Sequence, residues 1–402
     1  MEDKYIELLI NECTNLKNNK VLFINYSSEV KPFVSKIVSY AKNMGVSDIY
    51  LEEEDINYTH DLLSKLSLEE IKNDPYFNKK IWDTYAEKGA SFLMIETEHP
   101  HVMDDIDPEK IGLMGKLKRE TKPLYRKLQR ECKLPWCIAC YPGEIWAKDV
   151  FPNDSDALDK LRDAIFKVCM VDESNPSLAW DNYIERNTAI MKKLNSLDLN
   201  RLHYTNSLGT DLYVYLPRGY IYAGGRERLC IVNMPSYEVF TSPVYDKTHG
   251  IVYSSKPLMY NGSLIDNFWI KFEDGKVCDY DAKVGKDVLK EIIETDEFSC
   301  YLGEAALVEY DSPISNLGFN FGTTLIDENA SCHLALGAGF AECISGGLNM
   351  TVEELKEHGV NDSKQHVDFM IGTSDLTITG ETVSGQKIPI FENGNFSSVI
   401  TE

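Results

Sequence analysis

The sequence predicts an α/β amino-terminal domain with a mainly parallel sheet over residues 1–195, followed by an α+β domain over 196–402. Three observations lead to this division. Short apolar runs alternate with helical stretches in the first half, period-two alternation replaces them in the second, and glycine becomes far denser after about residue 207.

The first twenty residues follow an amphipathic helical pattern. Val21–Asn25 is then a short apolar run, Val30–Met44 a helical pattern and Asp48–Leu51 a second apolar run. Strand, helix and strand at that spacing make a βαβ unit, and such units build parallel sheets. Ser91–Ile95 and Trp136–Ala139 repeat the pattern with helical stretches between them. No GxGxxG or GxxxxGK[ST] follows any of these strands, so a dinucleotide or P-loop function loses its main support. Pro176–Leu194 reads as a polar connecting helix, which places the domain boundary near residue 195. Beyond it, Thr210–Leu216 alternates in period two, as does Asn267–Phe272 before the turn residues Glu273, Asp274 and Gly275.

Charge excludes several classes of partner. The 402 residues include 41 Lys and Arg against 64 Asp and Glu, a formal net charge of −23. Such a surface repels phosphate backbones and anionic lipid, so neither nucleic acid nor membrane is expected as a partner. The one basic-rich stretch, Lys116–Arg130, is interleaved with Glu120 and apolar residues and reads as a solvated helix face. No run approaches the roughly 20 apolar residues a membrane span requires, and the N-terminus lacks the shape of a signal peptide, so a cytoplasmic location is expected. Ten scattered cysteines suit a reducing compartment. Cys137 and Cys140 form a CxxC inside an apolar run, which reads as a pair of core cysteines on a buried strand.

The chemistry-bearing residues lie in the second half. His366 and Asp368 form an HxD pair, and positions i and i+2 of a strand share a face, so the two could chelate one ion. His333 follows a carboxylate-rich segment containing Asp327 and Glu328. Glu304 sits in an otherwise apolar run, where a lone carboxylate costs several kcal/mol unless it is paired, protonated or bound to metal. Two imidazoles and several carboxylates, Glu238 among them, make a ligand set suited to zinc, cobalt or manganese. The residues alone leave a second reading open, with His333 and His366 as satisfied core histidines and the glutamates as rim charges.

From about Trp136 onward the chain resembles the metal-dependent aminopeptidases of the aminopeptidase T and aminopeptidase S type. The segments that carry the resemblance are NMPSYEVFTSP (233–243), YLGEAAL (301–307), TLIDENASCHLALG (324–337) and HVDFMIG (366–372), in the family's order and at similar separations. IWAKDVFP (145–152) and LAWDNYIERN (178–187) match more weakly. The resemblance implies a cytoplasmic, dimeric metalloaminopeptidase acting on peptides with a free N-terminus through two divalent ions, zinc, cobalt or manganese. Carried over by position, it makes Glu238, Glu304, His333, His366 and Asp368 the metal ligands, with Glu304 bridging the ions. Glu304 and Glu328 are then the candidates for the general base, Glu328 being alternatively a further ligand or a group that orients His333. Asp327 is left as structural.

Two positions depart from the pattern. Relatives carry a tyrosine where this chain has Phe340, and phenylalanine cannot donate a hydrogen bond to an oxyanion. Tyr237 stands where relatives usually have an additional glutamate, and it could supply the missing hydroxyl. The resemblance thus admits three outcomes: an active aminopeptidase, a metallohydrolase with an altered substrate such as a dipeptidase or amidase, or a metal-binding protein without turnover.

Overall fold

The computed structural model describes residues 1–226, 229–260 and 263–402. Its contacts group into two compact units, Met1–Asp181 with Arg226–Pro235, and Asn182–Gly225 with Ser236–Glu402. Residue 195, where the sequence pattern changes, ends the connecting helix Pro176–Asn195, and the grouping divides within that helix.

In the first unit, β1 (Val21–Ser27), β2 (Asp48–Glu54), β3 (Ser91–Glu96) and β4 (Trp136–Cys140) form a parallel sheet in the order β2-β1-β3-β4, and Asn233–Met234 adds an edge strand beside β4. Leu22, Phe23 and Ile24 are all buried, as are Phe92 and Leu93. A parallel sheet covered on both faces demands such continuous apolar runs. Phe23 packs 4.7 Å from Trp82 between ring centroids, and Phe92 lies 4.7 Å from Tyr125. Cys137 and Cys140 are buried on β4, as the apolar run suggests.

The basic stretch is not a simple solvated face. Asp107 caps the helix Pro108–Glu120, accepting from Glu109 N at 2.9 Å, and Pro123 opens the next helix, Pro123–Arg130. The short break between them lets Lys122 fold inward, its ammonium 3.7 Å from the Trp82 ring centroid. The sequence pattern could not show this, because the aromatic partner lies forty residues upstream on another helix, Ile81–Glu87.

The second unit holds two sheets among the described residues. One has nine strands and is antiparallel throughout. Its hairpin Ser263–Glu273/Lys276–Val284 turns at Asp274 and Gly275, with φ of 48° and 77°, the paired left-handed conformation that suits a two-residue connection. The other sheet has the order His366–Met370, His333–Gly337, Leu302–Leu307, Val239–Thr241 and Ala223–Gly224, again antiparallel. Leu334, Leu336, Val367 and Phe369 join the main core with Leu202, Tyr204, Leu212 and Ile378. Each such side chain contributes about 1.5–3 kcal/mol by leaving water. Alternation then turns the intervening residues of these strands to the opposite face.

Candidate metal centre

That opposite face is where the sequence-predicted ligands meet. Glu304 pairs in register with Ala335, which pairs in turn with Asp368. The neighbouring rows are Ala306–His333–Met370 and Gly337–His366. Phe240 pairs with Ala306, so Glu238, two residues earlier, approaches the same face from the next strand. Small side chains at Ala306, Ala335 and Gly337 leave the space between the ligating groups open. A register irregularity between Leu302 and Glu304 sets Glu304 into its row. Gly303 is required there, because a Cβ would lie 2.2 Å from both the Gly337 and Ala338 carbonyl oxygens.

The two histidines are oriented by backbone. Nδ1 of His333 lies 3.3 Å from Ser331 O, and Nδ1 of His366 lies 2.8 Å from Ala338 O. A carbonyl only accepts, so each Nδ1 carries a proton and each Nε2 faces the carboxylates. His333 Nε2 is 3.1 Å from Glu238 Oε2, and His366 Nε2 is 3.0 Å from Glu304 Oε2 and 3.1 Å from Asp368 Oδ1. Two triads result, Glu238–Glu304–His333 and Glu304–His366–Asp368, each with ligand atoms within 4.8 Å of one another. Glu304 is common to both. Glu328 belongs to neither, although its charge is felt together with those of Asp368, Glu238, His333 and Glu304.

Burial sharpens the electrostatics. Glu304, His333 and Glu328 are 4%, 1% and 8% exposed. Burial, reinforced by the Glu238 and Asp368 charges, pushes the Glu304 carboxyl up to about 7 despite the hydrogen bond from His366. Burial, then Asp368 and Glu238, push Glu328 well above the usual carboxylate range. Burial disfavours a charged His333, yet the Glu238 hydrogen bond and the surrounding carboxylates outweigh it and raise the imidazole to about 10. Burial works against the Asp368 charge, but the His366 charge and hydrogen bond, joined by the His333 charge and a hydrogen bond with Glu304, together move it down. Four carboxylates thus crowd two imidazoles in a site largely closed to water. Oxygen and imidazole donors with surplus negative charge fit divalent cations of the zinc, cobalt or manganese type.

Other residues support this frame. The Asp327 carboxylate accepts from the backbone N–H of Phe321 at 2.9 Å and of Gly322 at 2.8 Å, holding the loop before the ligand segment. Asn329 Oδ1 accepts from Tyr237 N at 2.6 Å, and the Tyr237 carbonyl accepts from Tyr183 Oη at 3.2 Å and Asn187 Nδ2 at 3.3 Å. Three side chains therefore fix the backbone next to Glu238. The Tyr237 ring itself is buried edge-on against Tyr183 at 5.0 Å. Phe340 lies against the site, its ring 5.0 Å from that of His366 and 5.2 Å from Phe240, and its N–H donates to Ser242 Oγ at 2.8 Å. Asn329, Tyr183 and Asn187 were not legible as site residues, and the orienting carbonyls of Ser331 and Ala338 have no side-chain signature at all.

Comparison with known proteins places this geometry in context. Residues 2–396 match the Peptidase M29 family, described as thermophilic metalloprotease (M29). The chain is 38% identical to aminopeptidase AmpS of Bacillus subtilis (strain 168), over 98% of this chain and 97% of that protein. It is 37% identical to aminopeptidase 2 of Geobacillus stearothermophilus, again over 98% and 97%. Its structure is similar to that of wild-type AmpT from Thermus thermophilus, with a TM-score of 0.88 and 29% identity over 98% of each chain.

Proposed function

The chain belongs to the thermophilic metalloprotease family M29 and is a metal-dependent aminopeptidase, and we propose that it removes N-terminal residues from peptides using two divalent ions. The reading assigns Glu238, Glu304 and His333 to one ion and Glu304, His366 and Asp368 to the other. The observation that carries it is the sharing of Glu304 between two ligand-distance triads on one sheet face. Two such ions, when bound, activate a water toward neutral pH, polarise the scissile carbonyl and anchor a free α-amine.

The chain's own residues supply the rest. Ser331 and Ala338 hold the imidazoles in the tautomer that presents Nε2. Glu304 and Glu328 are the two carboxyl groups able to take a proton from the attacking water and return it to the leaving amine. Glu328 lies outside both triads, so the reading gives it proton transfer rather than an ion. Zinc, cobalt and manganese all satisfy the donor set. The proposal includes a homodimer in the cytoplasm. No helix among the described residues is long and apolar enough to cross a membrane.

Phe340 favours a second reading, in which the chain keeps the ions without turnover, because the ring beside His366 offers no hydroxyl to an oxyanion. Hydrolysis of an unblocked leucyl chromogenic amide by metal-depleted protein, before and after adding each metal, decides between them. Metal-dependent release that is absent with acetylated substrate supports the aminopeptidase. Binding of two ions with no release from any unblocked peptide would establish the second reading.

A further inference from the structure

The first unit contains a cavity of about 310 Å³ at the carboxyl ends of β1, β2 and β3, which Asn25, Glu52, Glu54 and Glu96 reach from the strands. In the order β2-β1-β3-β4 the chain leaves β1 toward β2 and then crosses to β3 on the other side. Ligands of open α/β sheets bind at such a reversal, and the volume is at the lower end for small-molecule sites.

The charges in the wall divide into satisfied and unsatisfied groups. Glu54 pairs with Lys118 at 2.6 Å, and Glu52 accepts from Trp82 Nε1 at 2.6 Å. The side chains of Glu96, Lys122 and Arg126 form no hydrogen bond or ion pair among the described residues. Glu96 and Lys122 feel each other's charge across the cavity yet do not touch. Trp82, which stacks under the Lys122 ammonium, and Tyr125 line the same cavity.

We propose that this cavity binds a free α-amino acid with an apolar side chain. Glu96 receives its ammonium, Lys122 and Arg126 receive its carboxylate, and Trp82 and Tyr125 take the side chain. A zwitterion bridges an anion and a cation held apart, whereas a simple anion leaves Glu96 unpaired. Glu96 stands open to solvent at the end of its strand, whereas burial lowers the half-buried Lys122 to about 8, so the cation lacks solvation that a ligand carboxylate would replace.

The test is isothermal titration of the full chain with L-leucine, N-acetyl-L-leucine, L-leucinol, which has the ammonium and no carboxylate or amide, and inorganic phosphate. Leucine should bind, and each derivative should bind at least ~10-fold more weakly, a loss of about 1.4 kcal/mol or more. Glu96→Gln and Lys122→Met should each weaken leucine at least ~10-fold, while Lys122→Arg keeps the cation and stays within about threefold. Circular dichroism identifies any variant that does not fold, and the derivatives test the proposal without any variant. Leucine held only at the metal centre would be indifferent to Glu96→Gln and Lys122→Met, and that result overturns the proposal. So does phosphate binding as tightly as leucine, or the absence of leucine binding.

Discussion

Glu304 and Asp368 flank Ala335 in one row across three antiparallel strands, so the carboxylates of the outer strands face each other over a single methyl group. Ala335→Val would place two further carbons in that gap. It should weaken metal binding at least ~10-fold and, by overpacking a fully buried position, cost about 1–3 kcal/mol. Metal content after dialysis and the thermal midpoint read the two effects separately. Parental metal affinity in the variant would mean that this row does not form the site.

Sharing of Glu304 makes its substitution unlike that of any other ligand. Glu304→Gln should lose both ions and at least ~100-fold in kcat/KM, whereas His333→Ala and His366→Ala should each weaken one ion. Elemental analysis of bound metal distinguishes the cases. Retention of one tightly held ion in Glu304→Gln would count against its role in both triads.

Phe340→Tyr should raise kcat on a leucyl chromogenic amide about 10- to 100-fold with little change in KM, because an oxyanion donor acts in the transition state. An unchanged kcat would show that another group already serves the oxyanion, and Tyr237→Phe then becomes the informative variant.

Chelation should lower the thermal midpoint, since an ion binding only the folded chain at about 100-fold over its Kd stabilises it by about 2.7 kcal/mol. Readdition of zinc, cobalt or manganese should restore the midpoint in proportion to affinity. The crowding of Glu238, Glu304, Glu328 and Asp368 is the physical source of the effect, and calorimetry with and without chelator measures it.

Glu96 gives a pH dependence independent of the metal centre. Its pKa is raised from the ordinary 4.5 to about 7, so the folded chain binds this proton more tightly than the unfolded chain does. The associated stability is present below pH 4.5 and is lost as pH rises through 7. Glu96→Gln should therefore melt higher than the parent at pH 8, with the difference vanishing near pH 4.5. An advantage equal at both pH values would remove the ionisation as its cause.

Much of the fold was legible because strand composition reports its surroundings. Continuous apolar runs at Val21–Asn25 and Ser91–Ile95 mark strands buried on both faces, and the alternation of Thr210–Leu216 marks one buried on a single face. Asp274 and Gly275 announced their hairpin. The edge strand Asn233–Met234 was not legible, because two residues carry no period and their partner lies far away in sequence. The inward turn of Lys122 was hidden for the same reason.

For the candidate site, the sequence by itself determined the residue types and their order along the chain, and the alternation that assigns His333, His366 and Asp368 to the face opposite Leu334, Val367 and Phe369. Only the tertiary structure decided that Glu304 lies in the row of Asp368, that both histidines present Nε2, and that Lys122 and Glu96 line one cavity. The physical reason is that alternation is a local property of the extended backbone. Register between distant strands, and the carbonyl that meets each imidazole, are set by the packing of the whole core.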